Sequence, residues 1–414
     1  MHKPTEEGNS PMRVVMNVSA AAGDKTGIGH YTAELLKALR SAGEVEMSAY
    51  PPPLLLKIRS IMGGGPKQTP AAKLAGKLIA SSSPIGPVST GRASWRQKVK
   101  PVLRDAFRVV NNACSRGALD PELHDLYHEP NFFVLPGRLP VVATVHDLSP
   151  LFFPEWHPAD RVELFERHFT RNIRRIAHVL AVSEFAREEI IRTFGFSPDR
   201  VTRTYNGVRE HFRPLPSDET ANTLRSLGLP PTYLLHVGTI EPRKNLDMLL
   251  RAYCSLPDDL RQRCPLVLVG SWGWRMEDTA RYFDEVARHK NVIRPGYLPD
   301  DALPAVFNGA RALVFPTLYE GFGMPAAEML ACGGAVVSST AGAVAEVLGI
   351  CGHLIDPHDV DGWRNAMAKV ITDDDWRNEL RRGGLERAAE FTWQACARDT
   401  LKAYRKTLEQ VEAG

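Results

Sequence analysis

Apolar, strand-like runs alternate with amphipathic, helix-like stretches along most of this 414-residue chain. That alternation constrains the fold more than any other feature, because it is the pattern of βα units, in which crossover helices join parallel strands. The first unit reads as a strand Arg13–Ala20, a small-residue loop Ala21–Gly29 and a helix His30–Ala42 stopped by Gly43. A strand at Val45–Tyr50 follows, and then the rhythm breaks. Residues 51–92 contain PPP, GGGP and SSSPIGP, which are loop signals.

Order returns with strands at Asp125–Glu129 and Leu139–Asp147 and a long helix at Pro158–Ala177. His178–Ser183, the helix Glu184–Thr193 and Val201–Val208 come next, before a polar, Pro-rich stretch at 209–231. A second alternating series begins at Tyr233–Thr239, and the chain is helical from Asp359. The expected fold is α/β, with two Rossmann-like, doubly wound domains (1–215 and 216–392) facing a central cleft. The last segment, 393–414, is expected to be a helix crossing back to the first domain. In such sheets ligands sit at the carboxyl ends of the strands.

Charge narrows the function classes. The net charge is only +3, but residues 51–116 carry twelve Lys or Arg and one acid, Asp105. That insert is therefore +11 and the remainder −8, which argues against a nucleic-acid partner and leaves one cationic surface. No run reaches the roughly 18–20 apolar residues of a membrane span. The polar start, with Glu6 and Glu7, lacks the layout of a secretory signal. The six cysteines form no CxxC pair and no metal spacing, so a reducing, cytoplasmic setting is expected.

Four segments carry candidate chemistry. In Val237–Asn245 a strand ends in Gly238, and Arg243 and Lys244 stand side by side before a helix. Two cations at a helix start suit a diphosphate. In Leu318–Cys332, Glu320 and Glu328 lie eight apart, with Gly321 and Gly323 allowing close backbone approach and Pro325 suiting a first helical turn. Two carboxylates facing one pocket can accept hydrogen bonds from vicinal sugar hydroxyls. His146 and Asp147 follow the strand Val141–Val145, where an imidazole can meet a sugar oxygen. The loop Gly23–Gly29 begins like a dinucleotide fingerprint, but Thr32 replaces its third glycine, which weakens an NAD-linked oxidoreductase reading. Asp373–Asp375 reads as an acidic helix start rather than a metal site, so no metal site is assigned.

In combination the segments GIGHYTAELLKAL, VVATVHDLSPLFFPEWHP, HVLAVSEFA, YNGV, HVGTIEPRKN and YEGFGMPAAEMLACG resemble the retaining glycosyltransferases of family 4, which have the GT-B fold. The resemblance implies that Arg243 and Lys244 neutralise the donor diphosphate and that Glu328 binds the donor ribose. Glu320 and the backbone of Gly321, Phe322, Gly323 and Met324 would meet the transferred sugar, with His146 beside it. Gly29 would reach the phosphate, and Tyr297 and Leu298 would lie by the base. It also implies a metal-independent enzyme that needs no cofactor beyond a nucleotide-sugar donor. The IEPRKN and VHDLSPLFFPEWHP segments look like bacterial mannosyltransferases of O-antigen and exopolysaccharide assembly, which points to GDP-mannose. A UDP- or ADP-sugar donor, or a non-catalytic scaffold of a polysaccharide assembly complex, are the alternatives.

The implied acceptor is a saccharide, often lipid-linked at the cytoplasmic leaflet of the inner membrane. Arg92, Arg96, Lys100, Arg104 and Arg108 recur every four residues, beside Trp95, Val99, Leu103 and Phe107. These adjacent stripes are the pattern of a helix lying on an anionic membrane surface, although Pro101 would kink it.

Overall fold

The computed structural model describes residues 11–22, 27–52 and 117–413. The basic stripe at Arg92, Trp95, Arg96, Lys100, Arg104, Phe107 and Arg108 lies outside them. Twelve strands are present among the described residues: β1 (Met12–Asn17), β2 (Val45–Tyr50), β3 (Leu126–Glu129), β4 (Val141–Val145), β5 (Ile176–Ala181), β6 (Val201–Arg203), β7 (Tyr233–Val237), β8 (Leu266–Val269), β9 (Val292–Gly296), β10 (Ala310–Phe315), β11 (Val336–Ser339) and β12 (His353–Ile355). They form two six-stranded sheets, ordered β2-β1-β3-β4-β5-β6 and β12-β11-β10-β7-β8-β9. This is the α/β, doubly wound architecture expected of a GT-B chain.

Contacts divide the chain into two units, Met1–Pro130 with Val134–Val141, and Asn131–Phe133 with Val142–Gly414. In the first, β1 pairs in parallel with β2 from Met12 opposite Val45, and with β3 from Val14 opposite Leu126. Asp125 accepts hydrogen bonds from the Arg13 backbone N–H (2.7 Å) and from its guanidinium (2.6 Å), which pins the start of β3 to β1.

In the second unit the period-two alternation of the strands feeds two cores. Leu234, Leu266, Leu268, Ala312, Val314 and Val337 pack into one core. Their neighbours Leu235, Val267, Val269, Leu313, Phe315 and Val336 pack into the other. Both faces of the sheet are covered by helices, which is why these strands read as continuous apolar runs. The helix Trp393–Glu412 lies against β5 and β6 of the first sheet, as expected of a crossing-back segment. Its start is tied down by a Val208 N–H to Phe391 carbonyl bond (2.8 Å) and by the Thr392 cap on Ala395 N–H (3.1 Å).

Three elements differ most from the sequence reading, and one of them, the strand expected at Val201–Val208, stops at Arg203, where the Thr204 N–H donates to the Ala181 carbonyl (2.7 Å). The helix expected at Pro158–Ala177 ends at His168 and gives way to a 3-10 run, Thr170–Arg175. The Asn172 amide donates to the Arg167 and His168 carbonyls (3.3 and 3.1 Å), closing the helix from outside, and Ile176 begins β5. The first strand stops at Asn17 instead of Ala20, because the Asn17 side chain accepts from Ser19 N–H (3.0 Å) and sets a turn. Asp373 caps the helix Asp374–Arg381 by accepting from Trp376 N–H (2.8 Å), as an acidic helix start should. Among the described residues no helix is long and apolar enough to cross a membrane.

Candidate functional site

The site is built where the loops after β7 and β10 meet, at the carboxyl ends of both strands. Pro242–Lys244 forms one 3-10 turn, closed by Asn245 in the left-handed region at φ 57°. The Asn245 amide donates to the carbonyls of Pro316 (3.1 Å) and Pro357 (2.7 Å). The Arg243 carbonyl accepts from Leu318 N–H (2.7 Å) and from the Thr317 hydroxyl (3.0 Å). Arg243 and Lys244 are thereby strapped by their backbone to the segment that carries Glu320.

Their charges converge. Arg243 Nη1 lies 2.9 Å from Glu320 Oε1, and its Nε lies 2.6 Å from Glu241 Oε1. The Lys244 ammonium also donates to Glu320 Oε1 and sits over the Phe315 ring. Lys244, Glu241 and Glu320 are all buried. Burial alone would raise the Glu320 carboxyl's pKa, but Arg243 and Lys244 hold it below its ordinary value. Burial and the neighbouring Arg243 lower the Lys244 ammonium, against Glu320. Burial opposes the Arg243 guanidinium too, yet Glu320, Glu241 and Asp147 keep it above its usual range. Among the described residues the side-chain partners of Glu320 all meet Oε1.

Glu328 has a different partner. It projects from the helix Met324–Ala331, whose N-cap is Gly323 at φ 98°, and Arg209 Nη2 donates to its Oε1 at 3.3 Å. Arg209 also pairs with Asp300, two residues beyond Leu298. That links the loop of Tyr297, which is exposed, and Leu298, which is buried, to Glu328. Burial pushes the Glu328 carboxyl up to about 7, against Arg209 and with Asp300. A carboxyl raised above its unfolded value stabilises the fold fully below about pH 4.5, and that contribution is lost as pH rises through about 7. Urea unfolding at pH 5 and pH 8 should therefore show Glu328→Gln gaining on wild type by a few kcal/mol at the higher pH. Arg209 keeps Asp300 in that variant. A difference that does not change with pH would refute the assignment.

The His146 backbone is pressed against the glycine loop. A Cβ on Gly321 would stand 1.7 Å from the His146 carbonyl oxygen, so only glycine permits this approach. The Ser183 hydroxyl donates to the Gly321 carbonyl (2.6 Å) from the cap of the helix Glu184–Phe194. Tyr319 donates to Glu189 on that helix and accepts from Leu148 N–H (3.2 Å). Glu346 accepts from the N–H groups of Glu184 (2.7 Å) and Phe185 (3.0 Å), a carboxylate at a helix N-terminus. Asp147 accepts from the Ser149 N–H (2.9 Å) and hydroxyl (2.6 Å), and His157 Nε2 meets that hydroxyl at 3.0 Å.

The second unit thus brings together Arg243, Lys244, Glu320, Gly321 and the backbone of His146. It places Phe322 against Tyr205 and Phe391, Met324 at the opening of a helix, and Glu328 on Arg209. Gly29 belongs to the first unit, buried in the first turn of the helix Gly27–Ala42. Sequence reasoning did not single out Arg209, Asp300, Glu189, Tyr319 or Glu346. Arg209 opens a stretch that reads as a polar linker, and its only signal was its place directly after YNGV.

Comparison with known proteins bears on this geometry. The family model described as "Glycosyltransferase Family 4" matches residues 26–212, and that described as "Glycosyl transferases group 1" matches residues 224–387. The O-antigen chain mannosyltransferase B of Escherichia coli is 34% identical over 397 residues, 95% of this chain and 100% of that protein. The serotype-specific mannosyltransferase WbdA of Escherichia coli is 32% identical over 65% of this chain and 34% of its own length. Among solved structures, the lipopolysaccharide glycosyltransferase WaaG superposes with a TM-score of 0.63 at 14% identity, covering 94% of this chain and all of that one. Anabaena HepE, solved with UDP and glucose, gives 0.63 at 16% identity over 95% of this chain and 99% of that one.

Proposed function

On the premise that this chain belongs to glycosyltransferase family 4 and is a glycosyltransferase, we propose that it moves mannose from GDP-mannose to a saccharide acceptor, lipid-linked, in bacterial surface polysaccharide synthesis. The observation that carries the reading is the pair of cations, Lys244 buried and Arg243 partly buried, meeting on Glu320 in the loops after β7 and β10. Two fixed cations in a site shielded from water stabilise the charge that grows on a departing diphosphate. They do so in place of a metal. Glu328 accepts from the donor ribose. Glu320 Oε2 and the backbone from Gly321 to Met324 hold the transferred sugar, beside His146. The bond from the anomeric carbon to the phosphate oxygen breaks with its electron pair leaving on the diphosphate. The acceptor oxygen attacks from the same face, passes its proton to that phosphate, and configuration is retained. The relatives named as mannosyltransferases favour mannose. The basic segment around 92–108 docks the acceptor side on an anionic inner-membrane surface, as its striped pattern suggests.

A thermal-shift comparison of GDP-mannose, UDP-glucose and ADP-glucose at equal concentration tests the donor. A ligand at 100 times its dissociation constant adds about 2.7 kcal/mol to the stability of the native state. GDP-mannose should raise the melting temperature by several degrees and the other two should not. A shift confined to UDP- or ADP-glucose would overturn the donor assignment. Absence of any shift would overturn the site.

A further inference from the structure

A second cavity, of about 680 Å³, opens at the other end of the C-terminal sheet. Thr232, Ala310 and Ala335 on its wall precede or begin β7, β10 and β11, whereas Arg243 and Glu320 follow the ends of β7 and β10. At about 3.3 Å per residue, the length of those strands separates the two places by roughly 17–20 Å. Its lining includes the apolar Leu224, Leu229 and Phe307 and the basic Arg225, Arg311, Arg377 and Arg381. A recess of about 440 Å³ continues past Arg381 to Asn378 and Arg382.

The arginines are under-neutralised. Arg311 and Arg377 share a single carboxylate, Asp374 Oδ1, at 2.8 and 3.3 Å. That carboxylate is itself two-thirds exposed. Arg377 Nε is buried and has no hydrogen-bond partner among the described residues. Among the described residues Arg381, which is exposed, donates from Nε to the Gly333 carbonyl at 2.6 Å. A buried donor left unmade is costly, and it leaves the Arg377 guanidinium incompletely satisfied beside the cavity. Burial and the neighbouring Arg311 also lower the Arg377 guanidinium, with Asp374 opposing and Arg381 adding to the fall.

We propose that this cavity is a second ligand site, which takes a phosphate monoester with an apolar body. Arg311 spends Nε on the Val370 carbonyl (2.6 Å) and Nη2 on Asp374 (2.8 Å), and the remaining Nη donors of Arg311, Arg377 and Arg381 suit the oxygens of a tetrahedral dianion. The Leu224, Leu229 and Phe307 wall accepts the apolar part, and the volume suits a small molecule. A soluble phosphate ester and a phosphatidate headgroup share this chemistry.

Calorimetric titration of the full chain tests it with inorganic phosphate, phenyl phosphate and benzyl alcohol. Co-sedimentation with phosphatidylcholine vesicles, with and without phosphatidic acid, forms the lipid arm. Phenyl phosphate should bind saturably and more tightly than inorganic phosphate, and benzyl alcohol should not bind. Arg377→Gln and Arg381→Gln should each weaken it at least tenfold, and Lys244→Ala should leave it unchanged. Ala221→Trp, on an exposed rim position, should block the cavity even where an arginine variant fails to fold. Recruitment to phosphatidate vesicles alone, lost in the same variants, identifies the headgroup as the source. No saturable binding in either arm, equal binding by all three cavity variants, or loss in Lys244→Ala overturns the proposal. The Lys244→Ala arm also separates this outcome from a failure of the donor-site assignment.

Discussion

Lys244→Ala should lower the turnover of sugar transfer by about 10²–10³-fold, the usual cost of removing one fixed donor that meets developing charge, while the chain still folds. Lys244 is buried and its ammonium is committed to Glu320. Its removal does not strand that carboxylate, because Arg243 Nη1 remains 2.9 Å away. Burial and Arg243 already disfavour the charged ammonium, so the fold loses little with it. Glu320→Ala is the contrasting change. It leaves the buried Lys244 and the partly buried Arg243 with fewer counter-charges, and breaking a buried pair from one side costs about 3–5 kcal/mol. Steady-state transfer kinetics beside thermal melts separate the two. Transfer by Lys244→Ala within threefold of wild type would remove the lysine from the mechanism.

Gly321→Ala should be among the most damaging methyl additions at the described glycines. The added carbon would lie 1.7 Å from the His146 carbonyl oxygen and 3.0 Å from Asp147 Cβ. Both neighbours are held in place, one as main chain and the other by the Ser149 hydrogen bonds, so the loop must move. Overpacking of this kind costs about 1–3 kcal/mol or more. A displacement of about 1 Å at a reacting centre costs on the order of 10²-fold in rate. Both a lower melting temperature and a large loss of transfer are therefore expected. Gly117→Ala is the control, since nothing lies within 4 Å of its Cβ position, and it should stay within about 0.5 kcal/mol of wild type. A Gly321→Ala protein that melts with wild type would show that the approach of His146 to this loop is not real.

Much of the architecture was legible before any coordinates. A parallel strand covered on both faces must be apolar along its whole length, and β4, β8 and β11 are buried at every position. The candidate residues were legible for a related reason: polar and charged residues in the loops that follow the carboxyl ends of such strands stand where ligands bind. His146 directly follows β4, and Arg243, Lys244 and Glu320 lie in the loops after β7 and β10. The end of the helix at His168 was not legible, because its cause is the Asn172 amide folding back on two carbonyls. Local periodicity carries no sign of a side chain that competes with the next turn.

Arg209 marks the limit most clearly. In the sequence it is one more cation in a polar stretch, and Glu328 seemed a partner for Glu320. Tertiary structure gives Glu328 to Arg209 and Asp300, and gives Glu320 to Arg243 and Lys244. Element type, strand ends and the kinds of side chain available there follow from patterns a few residues long, which the chain carries locally. Which charge meets which depends on backbone separations of about 76 and 119 residues closing to hydrogen-bond distance, and a Coulomb interaction acts through that distance alone.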